Sequence, residues 1–229
     1  SNIAKEFDAK KDFIGQIVMN NSTKNEKIQY GLGVSYYYGF MLQGTKNVYT
    51  DIDKSNPSAP IYKIDSNTSN LYGYAKREYL GADAQVSIDN PLGITTLRAE
   101  YIQGTHPGAK DETRSPDAAP TTDTYVRQFN AGYFYFVHKI INLPLQLVFK
   151  YDWYDPNTKV SGSEVNSTGK FGQGDIKYET FGYGINYLIS QNVKLMAYYD
   201  HVINEQVMIN SYGYDRKDDI YTLRIQYRF

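Results

Sequence analysis

The sequence predicts an all-β fold, an antiparallel transmembrane β-barrel with about nine strands in view. Three observations predict it. The last twelve residues, DDIYTLRIQYRF, alternate strictly: Tyr221, Leu223, Ile225, Tyr227 and Phe229 fall on one face, Thr222, Arg224, Gln226 and Arg228 on the other. Tyrosine is abundant, 24 residues against one Trp and 10 Phe, and its ring suits a place in lipid with the hydroxyl at the headgroups. The connections between alternating stretches run short, long, short, long, as in a barrel with tight turns on one side of a membrane and long loops on the other. A soluble β-sandwich or barrel is the competing class, and it would show neither the tyrosine content nor the regular alternation of loop length.

Composition sets the bounds. The 229 residues suffice for one domain, taken as 1–229. Mean hydropathy is -0.56, and no run approaches the ~20 apolar residues of a spanning helix. A barrel escapes that test because only every second residue meets lipid. A formal charge of -1 argues against nucleic acid as a partner. No secretory leader is recognisable, so a mature chain or a fragment is expected.

Residues 1–11 are polar and without period, a loop or frayed segment. Residues 13–20 alternate weakly, with Phe13, Gly15, Ile17 and Met19 on one face. After the polar turn NSTKNEK, residues 28–39 place Ile28, Tyr30, Leu32, Val34, Tyr36 and Tyr38 opposite Gln29, Gly31, Gly33, Ser35 and Tyr37. Residues 43–70 are expected to be a long loop. Residues 79–89 set Leu80, Ala82, Ala84, Val86 and Ile88 against Asp83, Gln85 and Ser87; the turn NPLG follows, and residues 94–104 set Arg98 and Glu100 against Leu97, Ala99 and Tyr101. Residues 106–123 read as a second long loop that includes His106. In residues 125–139, Phe129, Ala131, Tyr133, Tyr135 and Val137 are read as the apolar face, with Gln128, Asn130 and Gly132 opposite. Residues 145–155 oppose Leu147, Phe149, Tyr151 and Trp153 to Gln146, Lys150 and Asp152. A third loop covers 156–174. Residues 175–188 oppose Phe181, Tyr183, Ile185 and Tyr187 to Thr180, Gly182, Gly184 and Asn186; residues 193–201 oppose Val193, Leu195, Ala197 and Tyr199 to Lys194, Tyr198 and Asp200. A fourth loop, 204–217, precedes the final strand. Aromatics near strand ends, among them Tyr36, Tyr38, Trp153, Tyr199, Tyr227 and Phe229, read as interfacial girdles.

Strand parity carries a further expectation. If the last strand ends in the periplasm, the short turns are periplasmic and the first strand descends from outside. Either residues 1–11 hide a tenth strand or the chain is the C-terminal part of a larger barrel. The stretch KEFDAKKD is a poor lipid-facing strand, which favours the larger barrel.

Several stretches carry a family resemblance: REYLGADAQ, LRAEYIQG, VRQFNAGYFYFV, KYDWYDPNT, YGINYLISQNVKLMAYYDHVINE and TLRIQYRF. In order and spacing they resemble the phosphate-selective porin O/P family in the form common in Bacteroidetes, from about Asp12 onward. The resemblance implies a sixteen-stranded outer-membrane porin, of which this chain is the C-terminal half, a homotrimer, and passage of small hydrophilic solutes or anions such as phosphate across the bacterial outer membrane. The residues that select phosphate in that family lie largely outside the matched stretches, so phosphate selectivity does not transfer.

The polar parities supply candidate pore-lining residues: Asp83, Gln85, Arg98, Glu100, Lys150, Asp152, Lys194, Asp200, Arg224 and Arg228. Rings of one charge sign select ions; here the signs nearly balance, so the charges read either as a cross-strand ladder that stiffens the wall or as opposed basic and acidic walls. Tyr227 and Phe229 are the expected assembly signal at the C-terminus, and outer-membrane lipid is the expected surrounding. Catalysis is not expected: of the three histidines, His106 is placed in a Pro-rich loop, His138 at a strand end and His201 on an apolar parity, with no Ser or Asp converging on them. DIDKSN lacks the central Gly of a calcium loop, and its twelfth position is Tyr62 rather than Glu. The Gly pairs of YGLGV and YGYGI lie inside strands, not between a strand and a helix, so no nucleotide fingerprint is read, and no cofactor is expected. Two functions follow as expectations: a passive diffusion channel, or a non-conducting accessory barrel whose long loops dock a partner.

Overall fold

The computed structural model describes residues 9–228; Phe229 and residues 1–8 lie outside it. Among the described residues eleven strands form one sheet: β1 (Phe13–Ser22), β2 (Ile28–Leu42), β3 (Val48–Asp53), β4 (Ile61–Asp65), β5 (Tyr74–Asn90), β6 (Gly93–Gly108), β7 (Thr124–Ile140), β8 (Leu145–Asp155), β9 (Tyr178–Leu188), β10 (Val193–Asn204) and β11 (Ile220–Tyr227). Nine of them make a meander in the order β1-β2-β5-β6-β7-β8-β9-β10-β11, each antiparallel to the next. Among the described residues β1 and β11 are its two edges, and they run in the same direction.

The short connections, 23–27, 91–92, 141–144 and 189–192, all lie at one end, and the long ones, 43–73, 109–123, 156–177 and 205–219, at the other. The tight turns use residues suited to them. Asn90 Oδ1 accepts from Leu92 N at 2.9 Å, Gly93 takes φ 136°, and Asn142 sits at φ 60°.

Directly opposed residues share a face, so the register defines two surfaces. One is apolar and bare: Leu32, Leu80, Ile185 and Leu223 are exposed by 50%, 55%, 50% and 75%. Tyr36, Tyr38, Trp153, Tyr199 and Tyr227 lie on this face, as expected of them. Between its ends, the opposite face carries the charged residues, among them Asp83, Arg98, Glu100, Lys150 and Asp152. This is the inverse of a water-soluble sheet, which buries its apolar side.

Several expectations need correction. The segment read as a loop over 43–70 contains the β3–β4 hairpin, and β3 adds to the sheet by pairing in parallel with the start of β7 (Val48↔Thr124, Tyr49↔Tyr125). His106 lies within β6, not in a loop. Strands β2, β5, β6 and β10 run farther toward the long-loop end than the alternation shows; in β5 and β6 the residues on the apolar parity turn polar there, with Lys76, Glu78, Gln103 and Thr105. Tyr133 and Tyr135 oppose Glu100 and Arg98 on one side and Asp152 and Lys150 on the other. They therefore belong to the charged face, while Phe134 and Phe136 take the apolar one. The run YFYF places aromatics on both parities, so alternation could not choose between them.

Candidate functional site

The charged face is ordered in rows across the strands. One row reads Gly31, Gln85, Arg98, Tyr135, Lys150, Gly182, Asp200 from β2 to β10. The next row toward the long loops reads Gly33, Asp83, Glu100, Tyr133, Asp152, Thr180. Asp83, Gln85, Arg98, Glu100, Lys150, Asp152 and Asp200 thus meet in two adjacent rows, about 6.8 Å apart along the strands. Lys194, Arg224 and Arg228 share the face but stand nearer the short turns, with Lys194 opposite Gln226 and Arg224 opposite Met196.

Lys150 holds the two rows together. Its ammonium lies 2.8 Å from Asp152 Oδ2 and 2.9 Å from Asp200 Oδ1. Asp200 is two strands away, and the intervening position on β9 is Gly182. A Cβ at Gly182 would stand 2.2 Å from the Tyr198 hydroxyl and 3.0 Å from Asp200 Oδ1, so glycine leaves the space that Lys150 crosses. Among the described residues Arg98 makes no ion pair, and it is exposed.

Above these rows three of the long connections fold onto the charged face as a cap. Tyr49 and Tyr62 from the hairpin, Val160, Val165, Phe171 and Ile176 from 156–177, and Val207 and Tyr212 from 205–219 pack with Tyr125 of β7. Tyr49 stacks on Tyr125 at 4.4 Å between centroids, and Tyr62 meets both rings edge-on. Beneath this core lies a buried ion pair. Arg127 Nε donates to Asp175 Oδ1 at 2.8 Å, with both side chains 0% exposed. The same guanidinium donates to the Ala109 and Lys110 carbonyls at 2.9 and 2.8 Å. Tyr62 Oη (2.9 Å), Asn157 Nδ2 (2.8 Å) and Gly172 N (2.9 Å) also donate to the Asp175 carboxylate. Burial, and then the adjacent Asp175 carboxylate, push the Tyr62 hydroxyl above its ordinary range, so it stays a donor. One arginine thereby ties β7, the 109–123 connection, the 156–177 connection and the hairpin. Thr45 Oγ1 (2.7 Å) and Asn47 Nδ2 (3.3 Å) donate to Asp123 Oδ1 and join a further pair of connections.

Sequence reasoning missed Arg127, Asp175, Tyr62 and Asn157. One signal was present: Arg127 falls on the parity of Tyr125, Phe129 and Ala131, an odd place for a charge on a face read as apolar. His106 stands beneath the cap between the Tyr79 hydroxyl and the Thr113 carbonyl. Thr95 Oγ1 lies 3.0 Å from His138 Nδ1, and Asp219 Oδ1 lies 2.9 Å from His201 Nδ1. Among the described residues no three His, Asp or Glu side chains are grouped to hold a metal ion. Comparison with protein-family models, with curated proteins and with solved structures returns no match.

Proposed function

We propose that this chain forms part of the wall of a bacterial outer-membrane channel for passive diffusion of small hydrophilic solutes, the charged face lining the pore and the apolar face meeting lipid. The observation that carries the reading is the bare apolar surface opposite a face of ion pairs and tyrosines. That surface also has the right height. On β5 it runs from Leu80 to Ile88, about 27 Å along the strand. At a tilt near 40° this spans about 21 Å, close to the ~25 Å apolar band of such barrels. Polar groups bound it at the long-loop end. Tyr36 donates to Glu78 at 2.6 Å, Tyr151 to Glu179 at 2.8 Å and Tyr199 to Asp219 at 2.6 Å. Lys76 and Lys177 pair with the first two carboxylates at 2.5 and 3.1 Å. Tyrosines hydrogen-bonded to carboxylates suit the headgroup layer.

The porin resemblance supports the same reading and adds a homotrimer of barrels. Purified full-length protein is expected to give discrete conductance steps in a planar bilayer. A folded protein without conductance, co-purifying with a stable partner, would replace the channel with the accessory-barrel reading. The observation that favours this second reading is the self-packed cap, which presents Met208 and Tyr214, exposed by 67% and 64%.

A further inference from the structure

The two charged rows also carry aromatic rings that ion selection does not require. Tyr133 and Tyr135 stand on the charged face in an edge-to-face pair, 5.4 Å between centroids at 73°. With Glu100, Ile102, Lys150 and Asp152 they line a depression of about 450 Å³. Arg98 lies directly opposite Tyr135. Farther toward the short turns Tyr198 occupies the same face, opposite Gly184, with its hydroxyl buried and, among the described residues, without a hydrogen-bond partner.

The charges argue against an anion here. Lys150 is held between two carboxylates at 2.8 and 2.9 Å, and an incoming phosphate would have to displace one of them. In the two rows Asp83, Glu100, Asp152 and Asp200 stand against Arg98 and Lys150 alone. An anion would enter a locally acidic wall and meet like charge. A neutral polyhydroxylated ring faces no such cost. Its hydroxyls need acceptors and donors, which Glu100, Asp152 and Arg98 supply. Its C–H face needs a flat apolar surface, which a tyrosine ring supplies. The depression is also of a size that small ligands fill.

We propose that Tyr133 and Tyr135 form a binding station for a neutral saccharide. The sugar ring lies against the tyrosines, its hydroxyls donating to Glu100 and Asp152 and accepting from Arg98. The proposal rests on the channel reading for the route by which the sugar arrives, but not for binding itself. It is tested by titrating full-length protein in detergent with maltose, and separately with inorganic phosphate, by calorimetry. Saturable maltose binding is expected, weakened at least tenfold by Tyr133→Leu with Tyr135→Leu and retained by Tyr133→Phe with Tyr135→Phe, which keeps the rings. Heat-modifiable migration on gels verifies that each variant is folded; if the double Leu variant is not, Tyr135→Leu alone carries the same test. Saturation by phosphate without maltose binding, or maltose binding unchanged in the Leu variant, would overturn the station. Maltose binding by a protein that does not conduct would sustain the station and overturn the channel; conductance without maltose binding would do the reverse.

Discussion

The Arg127 guanidinium makes four hydrogen bonds, to two backbone carbonyls and one carboxylate, in a place water does not reach. Removing one member of such a pair costs more than the pair contributes, because the other charge stays buried alone. Arg127→Met is therefore expected to destabilise the cap by about 3–5 kcal/mol. The check is limited proteolysis: new cleavage within 43–73 and 156–177, with the far-ultraviolet β signal unchanged. Simultaneous loss of the β signal would mean that the arginine holds the sheet as well as the cap. Gly182 makes the opposite kind of prediction. Valine is a better strand residue than glycine. Here Gly182→Val is expected to cost about 1–3 kcal/mol, since its side chain meets Tyr198 and Asp200. A lowered unfolding temperature is the expected reading, and an unchanged one would show that Lys150 does not need the space above β9.

At the scale of elements, the cap responds to pH through Tyr62. Its folded pKa lies above the ordinary value of 10.0, so the folded cap holds the proton more tightly than the unfolded one does. That contribution is complete below pH 10.0 and is lost as pH rises above it. Cap undocking is thus expected at alkaline pH, read as protease sensitivity, and Tyr62→Phe is expected to flatten the dependence. A profile identical in the variant would exclude Tyr62 as its cause. On the acid side Lys54 holds the Glu164 carboxyl below its usual range, which stabilises the cap above that range and is lost as pH falls through the lowered value. The pair is partly exposed, so it contributes under about 1 kcal/mol. The same elements show what a sequence can disclose. Strands such as β8 were legible to the residue because their alternation continues to the turn. The hairpin was not. Its strands are six and five residues long, sit among prolines and serines, and bury Tyr49 and Tyr62 against partners far along the chain. Tyr62 and Asp175 are 113 positions apart, and no local pattern announces such a contact. The charged rows were half legible: alternation gave the face of each ion, and only the register showed which ions stand side by side.

For the whole molecule, the division into two faces is testable because the chain has no cysteine. Single cysteines at Leu80, Ile185 or Leu223 are expected to resist water-soluble thiol reagents in lipid vesicles and to be quenched by brominated lipid once labelled. Cysteines at Gln85 or Ser87 are expected to react from water. The reverse pattern would turn the proposed wall inside out. An apolar surface of this extent also predicts that the protein stays soluble only in detergent or lipid. The direction of the two edge strands has a consequence for symmetry. β1 and β11 are parallel, so a two-fold axis along the strands would bring a second copy's β11 beside β1 in the wrong sense for an antiparallel wall. A two-fold axis across the strands would pair β1 with β1 antiparallel, but it would send one cap to each side of the membrane. Barrels that all enter from one compartment cannot alternate in that way. Under the channel reading, an all-antiparallel ring therefore has an odd number of strands between β11 and β1, beginning and ending in the sense opposite to both.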